Sequence, residues 1–161
     1  MSASVFIESS VISYLTSRTS RDLITASRQA ITADWWQNKL RHYDAYISVL
    51  VIEEISAGHP EAASQRLNAV AVLPVVGISP TAQTLAGALL AAKAVPANSD
   101  RDALHIAIAA LQGAEFLLTW NFKHINNAET RALIARVVAE HGFACPVLCS
   151  PEELRGIDNA D

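Results

Sequence analysis

The sequence has few of the features that mark secreted, membrane or zinc-binding proteins. Only two cysteines, Cys145 and Cys149, occur in 161 residues, and one Cys-x-x-x-Cys pair is neither a disulfide framework nor a convincing zinc signature. The N-terminus lacks a basic region followed by a long apolar run, so we expect no signal peptide. No apolar stretch approaches the ~20 residues that span a bilayer. We therefore expect a cytoplasmic protein with reduced cysteines and no membrane contact.

Glycine-rich phosphate loops and an excess of basic residues are also missing. No Gly-x-Gly-x-x-Gly or Walker-type sequence follows the first predicted strand, which argues against a dinucleotide or nucleoside-triphosphate enzyme. The chain has 12 basic and 16 acidic residues, a net charge of −4, which is not typical of a non-specific nucleic-acid binder. An enzyme that acts on RNA remains compatible, because bound divalent cations can offset a carboxylate cluster locally.

Length and hydrophobicity predict one folded domain over residues 1–161. Hydrophobic residues make up 51% and charged residues 17% of the chain, which argues against disorder. Short apolar runs alternate with helical patterns, and this alternation predicts a three-layer α/β/α sandwich around a central, mainly parallel sheet. Strands are predicted at 5–7, 46–48, 72–76, 116–119 and 146–148. Helices are predicted at 11–15, 21–43, 49–57, 61–70, 80–94, 100–113 and 131–141, with a last helical turn from 151.

Acidic and amide side chains recur where predicted strands end or helices begin. Glu8 directly follows the first strand, and Asn121 comes just after the strand at 116–119. Glu54 lies on the helix after the second strand, and Asp102 lies near the start of a helix. Ligands of open parallel sheets bind outside the carboxyl ends of the strands, so these residues could converge there. Oxygen ligands suit Mg²⁺ or Mn²⁺, and such a cation can activate water and neutralise a scissile phosphate.

Each acidic residue also has a purely structural explanation. Asp100 and Asp102 could simply favour a helix N-terminus, and Glu53 and Glu54 could form a solvated helix face. Glu8 is the hardest to explain in this way, because a carboxylate directly after a buried strand is costly unless it is paired or bound to a metal. Ser9 or Ser10 is expected to cap the short helix that follows.

Four short segments succeed one another in a recognisable order over nearly the whole chain. They cover residues 6–15, 47–58, 102–107 and 118–121. In this order and at this spacing they resemble the PIN-domain family, and within it the VapC-like toxin ribonucleases of toxin–antitoxin pairs. The resemblance implies a parallel sheet flanked by helices, an acidic cluster, and RNA cleavage that depends on Mg²⁺ or Mn²⁺.

The resemblance also implies a set of catalytic and metal-binding residues. Glu8 occupies the first acidic position of the family, and Glu54 matches the second, four residues before Gly58. Asp102 matches the third acidic position, and Asn121 stands where many members carry a further Asp.

Other residues near these positions have less specific expectations. Ser9 and Thr119 match small hydroxyl residues that accompany the acids of the family. His105 is expected to be either a structural histidine near the apolar face of its helix or an RNA contact. Lys123 and His124 follow in a loop, where they either contact phosphate or belong to the plain surface.

Two positions depart from the family pattern. Most members begin with Asp where this chain has Glu8, and the extra methylene moves the carboxylate oxygens outward. Asn121 lacks the charge of Asp, although its carbonyl oxygen can still coordinate a cation. The site keeps three formal negative charges, which should weaken divalent affinity relative to four. A catalytically weak or inactive PIN-like module that binds RNA or a protein is therefore the alternative.

The resemblance further implies partners. These are an RNA substrate, a cognate antitoxin protein that masks the site, and a second copy of the chain in a homodimer. Apolar grooves between helices would accept an amphipathic antitoxin segment. A phosphatase of the haloacid dehalogenase type is a weaker rival, because it needs an Asp-x-Asp pair where this chain has Glu8, Ser9 and Ser10.

Overall fold

The structure, a computed structural model, describes residues 2–156, so the predicted domain of residues 1–161 extends beyond the described residues at both ends. A five-stranded sheet has the order β3-β2-β1-β4-β5, and every strand pair in it is parallel. The predicted parallel sheet is thus confirmed. The strands are β1 (Ser4–Ile7), β2 (Asp44–Ser48), β3 (Val75–Val76), β4 (Phe116–Leu118) and β5 (Val147–Cys149).

Helices contact one another in two groups. Helix α1 contacts α2, α3 and α4, whereas α5 contacts α6 and α7, as the predicted layers on the two faces of a sheet require. No helix among residues 2–156 has the length and apolar character needed to cross a membrane. The helices are α1 (Ser9–Thr16), α2 (Leu23–Asn38), α3 (Val49–Ile55), α4 (Pro60–Ala69), α5 (Pro80–Ala91), α6 (Asp100–Leu111) and α7 (Arg131–Glu140).

The two central strands explain why the sheet is a stable platform. Val5, Phe6 and Ile7 of β1 and Leu117 and Leu118 of β4 are all fully buried. Strands covered by helices on both faces are expected to be continuously apolar, as these are. Their burial holds the carboxyl ends of β1 and β4 side by side.

Some predicted elements differ at their ends. The helix predicted at 21–43 ends at Asn38 and is followed by a separate 3₁₀ turn, Leu40–His42, that leads into β2. The strand predicted at 72–76 is shorter, because residue 72 is exposed and the Leu73 amide donates to the Val70 carbonyl in a turn. The last helical turn predicted from 151 is a single turn that does not extend into a helix, and in it the Leu154 amide donates to the Ser150 carbonyl.

The direction of chain travel across the sheet reverses next to β1. From β1 the chain moves outward to β2 and β3, whereas β4 and β5 lie on the opposite side of β1. The Glu8 amide, just past β1, donates to the Leu118 carbonyl at the end of β4, 3.0 Å away. A crevice at such a reversal, outside the carboxyl ends of the strands, is where open parallel sheets bind ligands.

Candidate functional site

Glu8 stands at this reversal and caps α1. Its Oε2 accepts a hydrogen bond from the Ser10 amide at 3.0 Å, and its Oε1 accepts bonds from Ser10 Oγ at 2.5 Å and Thr119 Oγ1 at 2.6 Å. The expectation that Ser9 or Ser10 caps the helix is therefore wrong, because Glu8 fills that position. Glu8 is only 5% exposed, and these three donors offset the cost of burying its charge.

Glu54 reaches the same place from α3. Its Oε1 accepts a bond from Ser9 Oγ at 2.5 Å and lies 2.6 Å from His105 Nε2. Burial alone would raise the pKa of Glu54, but the hydrogen bonds and charge from its neighbours hold that pKa below its ordinary value. The Glu54 side chain is 24% exposed, whereas its neighbour Glu53 is 62% exposed and pairs with Arg101. A solvated helix face therefore explains Glu53 but not Glu54.

Asp102 lies in the first turn of α6, beside the loop after β4. Its Oδ1 accepts a bond from Asn121 Nδ2 at 3.2 Å, and its Oδ2 lies 2.9 Å from His124 Nδ1. The Asn121 carbonyl oxygen, which was predicted as a ligand, accepts a bond from the His124 amide at 2.9 Å. Ser99 Oγ, at the N-cap of α6, lies 3.0 Å from His124 Nδ1.

The predicted residues therefore form two adjoining sets. The ligand atoms of Glu8, Glu54 and His105 all lie within 4.8 Å of one another, and we call these residues the inner set. Asp102, Asn121 and His124 form the outer set. Within residues 2–156, no group of three His, Cys, Asp or Glu ligand atoms at that spacing includes Asp102.

Thr119 joins the two sets. Its Oγ1 donates to Glu8 and accepts a bond from the Asn121 amide at 2.9 Å. The amide of Trp120, the residue between Thr119 and Asn121, donates to Ser10 Oγ at 2.8 Å. The loop after β4 is thus tied to the start of α1, which fixes the inner and outer sets relative to each other.

The inner set fits a hard divalent cation. Two oxygen ligands of one Mg²⁺, with bonds of about 2.1 Å, stand at most about 4.2 Å apart, so ligand atoms that lie within 4.8 Å of one another need move only slightly to share a cation. The two carboxylates are the donors that such a cation prefers. Glu8 and Glu54 also carry like charges at close range, which a bound cation would neutralise.

Two partners in the site were not recognised from the sequence. Ser10 was considered only as a helix cap, yet it donates to Glu8, and a hydroxyl two residues after a capping carboxylate was the available signal. His124 was expected to contact phosphate or lie on the surface, yet its ring bonds to Asp102. The sequence does give one indication of this arrangement: His124 lies three residues after Asn121, and Asn side chains often accept hydrogen bonds from nearby backbone amides.

Comparison with known proteins identifies the fold. No protein-family profile and no curated protein matches the chain. Among solved structures, the chain is similar to VapC20 of Mycobacterium tuberculosis, a toxin that cleaves the sarcin–ricin loop, with a TM-score of 0.56 and 17% identity over 80% of this chain and 94% of that one. The chain is also similar to one chain in the structure of Rickettsia felis VapBC2 bound to a DNA fragment from the VapBC2 promoter. The TM-score is 0.49 and the identity 17%, over 74% of this chain and 89% of that one.

The similarity to VapC20 shows that this chain has the PIN-like α/β fold of the VapC proteins. The resemblance predicted from the sequence motifs is confirmed at this level. At 17% identity the comparison shows the fold alone, and activity has to be argued from the site itself.

Proposed function

We propose that this chain is an endoribonuclease dependent on Mg²⁺ or Mn²⁺, and the toxin of a toxin–antitoxin pair. The observation that supports it most is the pairing of the Glu8 and Glu54 carboxylates at the crevice beside β1. Glu8 is buried there with three donors around it, an arrangement a helix cap alone does not need. A divalent cation bound there would supply an activated water and would neutralise charge on the scissile phosphate.

The residues of the chain have separate roles in this proposal. Glu8 and Glu54 hold the cation, and Asp102 contributes the third carboxylate. Asn121 orients Asp102 through its amide. Coordination by the Asn121 carbonyl oxygen, the role predicted from the sequence, requires that oxygen to release or share the His124 amide.

The proposal is tested with two matched pairs of variants on an RNA substrate. Glu54→Gln and Asp102→Asn should each remove cleavage that EDTA also abolishes. Glu53→Gln and Asp100→Asn change neighbouring exposed acids and should leave cleavage nearly unchanged. Circular dichroism would verify that all four variants fold. Cleavage that survives EDTA and both test substitutions would reject the proposal.

The partners and the setting follow from the same resemblance. RNA as the substrate is supported by the fold shared with VapC20, which cleaves an RNA loop. We further propose that one PIN-like domain covers residues 1–161, and that the protein is cytoplasmic, forms a homodimer and binds a cognate antitoxin. Co-purification with the product of a short neighbouring reading frame, and sedimentation of the chain alone, would test the last two points.

A catalytically weak or inactive PIN-like module, binding RNA or protein, is the second candidate. It is favoured by the outer set, because both Asp102 oxygens already have side-chain partners, and Asn121 brings no charge. Calorimetric titration of the folded protein with Mn²⁺ distinguishes the two. Binding that is lost in Glu54→Gln supports the nuclease, and no binding by the unaltered chain supports the inactive module.

A further inference from the structure

His105 lies in the protein interior directly behind Glu54. Its side chain is fully buried, and its ring centroid is 6.0 Å from that of Phe6 in β1. The ring therefore lies between α6 and the central strand of the sheet. A buried histidine beside an apolar ring has few ways to satisfy its two nitrogens, and the two nitrogens differ here.

The contacts of the two ring nitrogens indicate where the proton is. Nε2 lies 2.6 Å from Glu54 Oε1, and a carboxylate oxygen can only accept, so Nε2 carries the proton of that bond. Nδ1 is buried and has no hydrogen-bond partner among residues 2–156. The contact with Glu54 is therefore the hydrogen bond that orients this buried ring.

We propose that His105 is a positioning residue: its Nε2–H donates to Glu54 and holds that carboxylate in place, and His105 is not itself a cation ligand. The effect on cation binding rests on the proposed nuclease function, whereas the bond from Nε2 to Glu54 is a property of the cation-free protein. A protonated Nε2 has no lone pair to offer a cation. Of the three inner-set residues, only the two glutamates are then ligands.

This role specifies how Glu54 is oriented. His105 and Ser9 both donate to Oε1 of Glu54, so two donors from two different helices fix the rotation of the carboxylate. Oε2 is the oxygen that neither of these bonds uses. In metalloproteins, removal of a group that orients a metal ligand in this way typically lowers metal affinity roughly 10–100-fold.

The bond to Glu54 is tested first, on cation-free protein labelled with ¹⁵N-histidine. A long-range ¹H–¹⁵N spectrum, assigned by loss of the signal in His105→Gln, should show a proton on Nε2. Addition of Mg²⁺ should leave that proton in place. An Nε2 without a proton, or loss of the Nε2 proton when Mg²⁺ is added, would overturn the proposal.

The positioning role is tested by Mn²⁺ titration of two variants. His105→Leu should bind Mn²⁺ roughly 10–100-fold more weakly than the unaltered chain, whereas His105→Gln, whose amide can donate to Glu54, should recover most of the affinity. Unchanged affinity in His105→Leu, or equal losses in both variants, would overturn the role. If the unaltered chain binds no Mn²⁺, the proposed function fails, and the histidine spectrum still shows whether Nε2 of His105 donates to Glu54. If His105→Leu does not fold, that spectrum remains the test of the proposal.

Discussion

The inner and outer sets bring carboxylates to one crevice in different ways. In the inner set, three of the five hydrogen-bonding groups around Glu8 and Glu54 are hydroxyls, those of Ser9, Ser10 and Thr119, and the other two are the Ser10 amide and the His105 ring. A hydroxyl can turn its proton toward a carboxylate or away from it, so its oxygen can accept as readily as it donates. In the outer set, Asp102 is held by an amide and an imidazole.

The difference indicates which set is prepared for a cation. Glu8 and Glu54 keep two negative charges close together in a largely buried place, which is unfavourable without a counter-charge. Asp102 is held by an amide and an imidazole rather than by hydroxyls, and it is more exposed than Glu8. We therefore expect the inner set to provide most of the cation affinity, and the outer set to adjust it.

The largest expected effect comes from removing charge from the inner set without changing its shape. Glu8→Gln should abolish the rise in melting temperature that Mn²⁺ causes in the unaltered chain, because binding to the folded state is what stabilises it. In EDTA the variant should melt somewhat lower than the unaltered chain, because one of the two acceptor oxygens that face Ser10 and Thr119 becomes a donor, so the effect of the charge is read from the shift that Mn²⁺ causes in each protein. Differential scanning fluorimetry with and without Mn²⁺ measures both.

Asp100→Asn, which removes an exposed charge of the same sign, is the control for this experiment. If Glu8→Gln kept the full Mn²⁺-induced rise in melting temperature, the outer set rather than the inner set would provide most of the cation affinity.

A smaller effect is expected when the link between the sets is cut. Thr119→Val keeps the shape of the side chain but removes the donor to Glu8 and the acceptor for the Asn121 amide. Glu8 keeps its two donors from Ser10, but the Asn121 amide loses its acceptor, so the free energy of unfolding should fall by roughly 1–3 kcal/mol. Urea unfolding measures this, and Thr119→Ser, which keeps the hydroxyl, should lose much less. Equal losses in both variants would show that the methyl group matters and the hydroxyl does not.

The smallest expected effect compares the caps of the two helices that carry the acids. Ser48 Oγ accepts a bond from the Val51 amide at the start of α3, whereas Ser99 makes no side-chain cap bond at the start of α6. Ser48→Ala should therefore cost about 1 kcal/mol. Ser99→Ala leaves the helix cap unchanged and removes only the 3.0 Å contact of the hydroxyl with the His124 ring, which Asp102 also engages, so it should cost less. Urea unfolding of the two variants would contradict this if Ser99→Ala proved the more damaging.

Much of the fold could be predicted from local sequence patterns. The apolar run at 5–7 and the helical pattern from Asp100 specify elements whose type depends on burial and periodicity, which are readable in a short window. The strand predicted at 72–76 was too long, because a turn and a strand of apolar residues look alike without the tertiary contacts. Ends of elements are decided by such contacts, as at the end of α2.

Prediction of the site was partial for a related reason. Polar residues after strands indicated Glu8 and Asn121, and the motif resemblance indicated Glu54 and Asp102. The partners that hold them could not be read in the same way. The donors to Glu8 from Thr119 and to Glu54 from Ser9 are 111 and 45 residues away along the chain, and nothing in a local pattern pairs them.

The sequence by itself determined a parallel α/β arrangement and the edge of the sheet at which polar residues gather, because apolar runs and the polar residues that follow them are readable within a short window. Only the tertiary structure decided that Glu8 caps α1, that His105 supports Glu54, and that His124 engages Asp102. Those pairings depend on which helices lie beside the carboxyl ends of β1 and β4, and this is fixed by burial of the whole core rather than by any one segment.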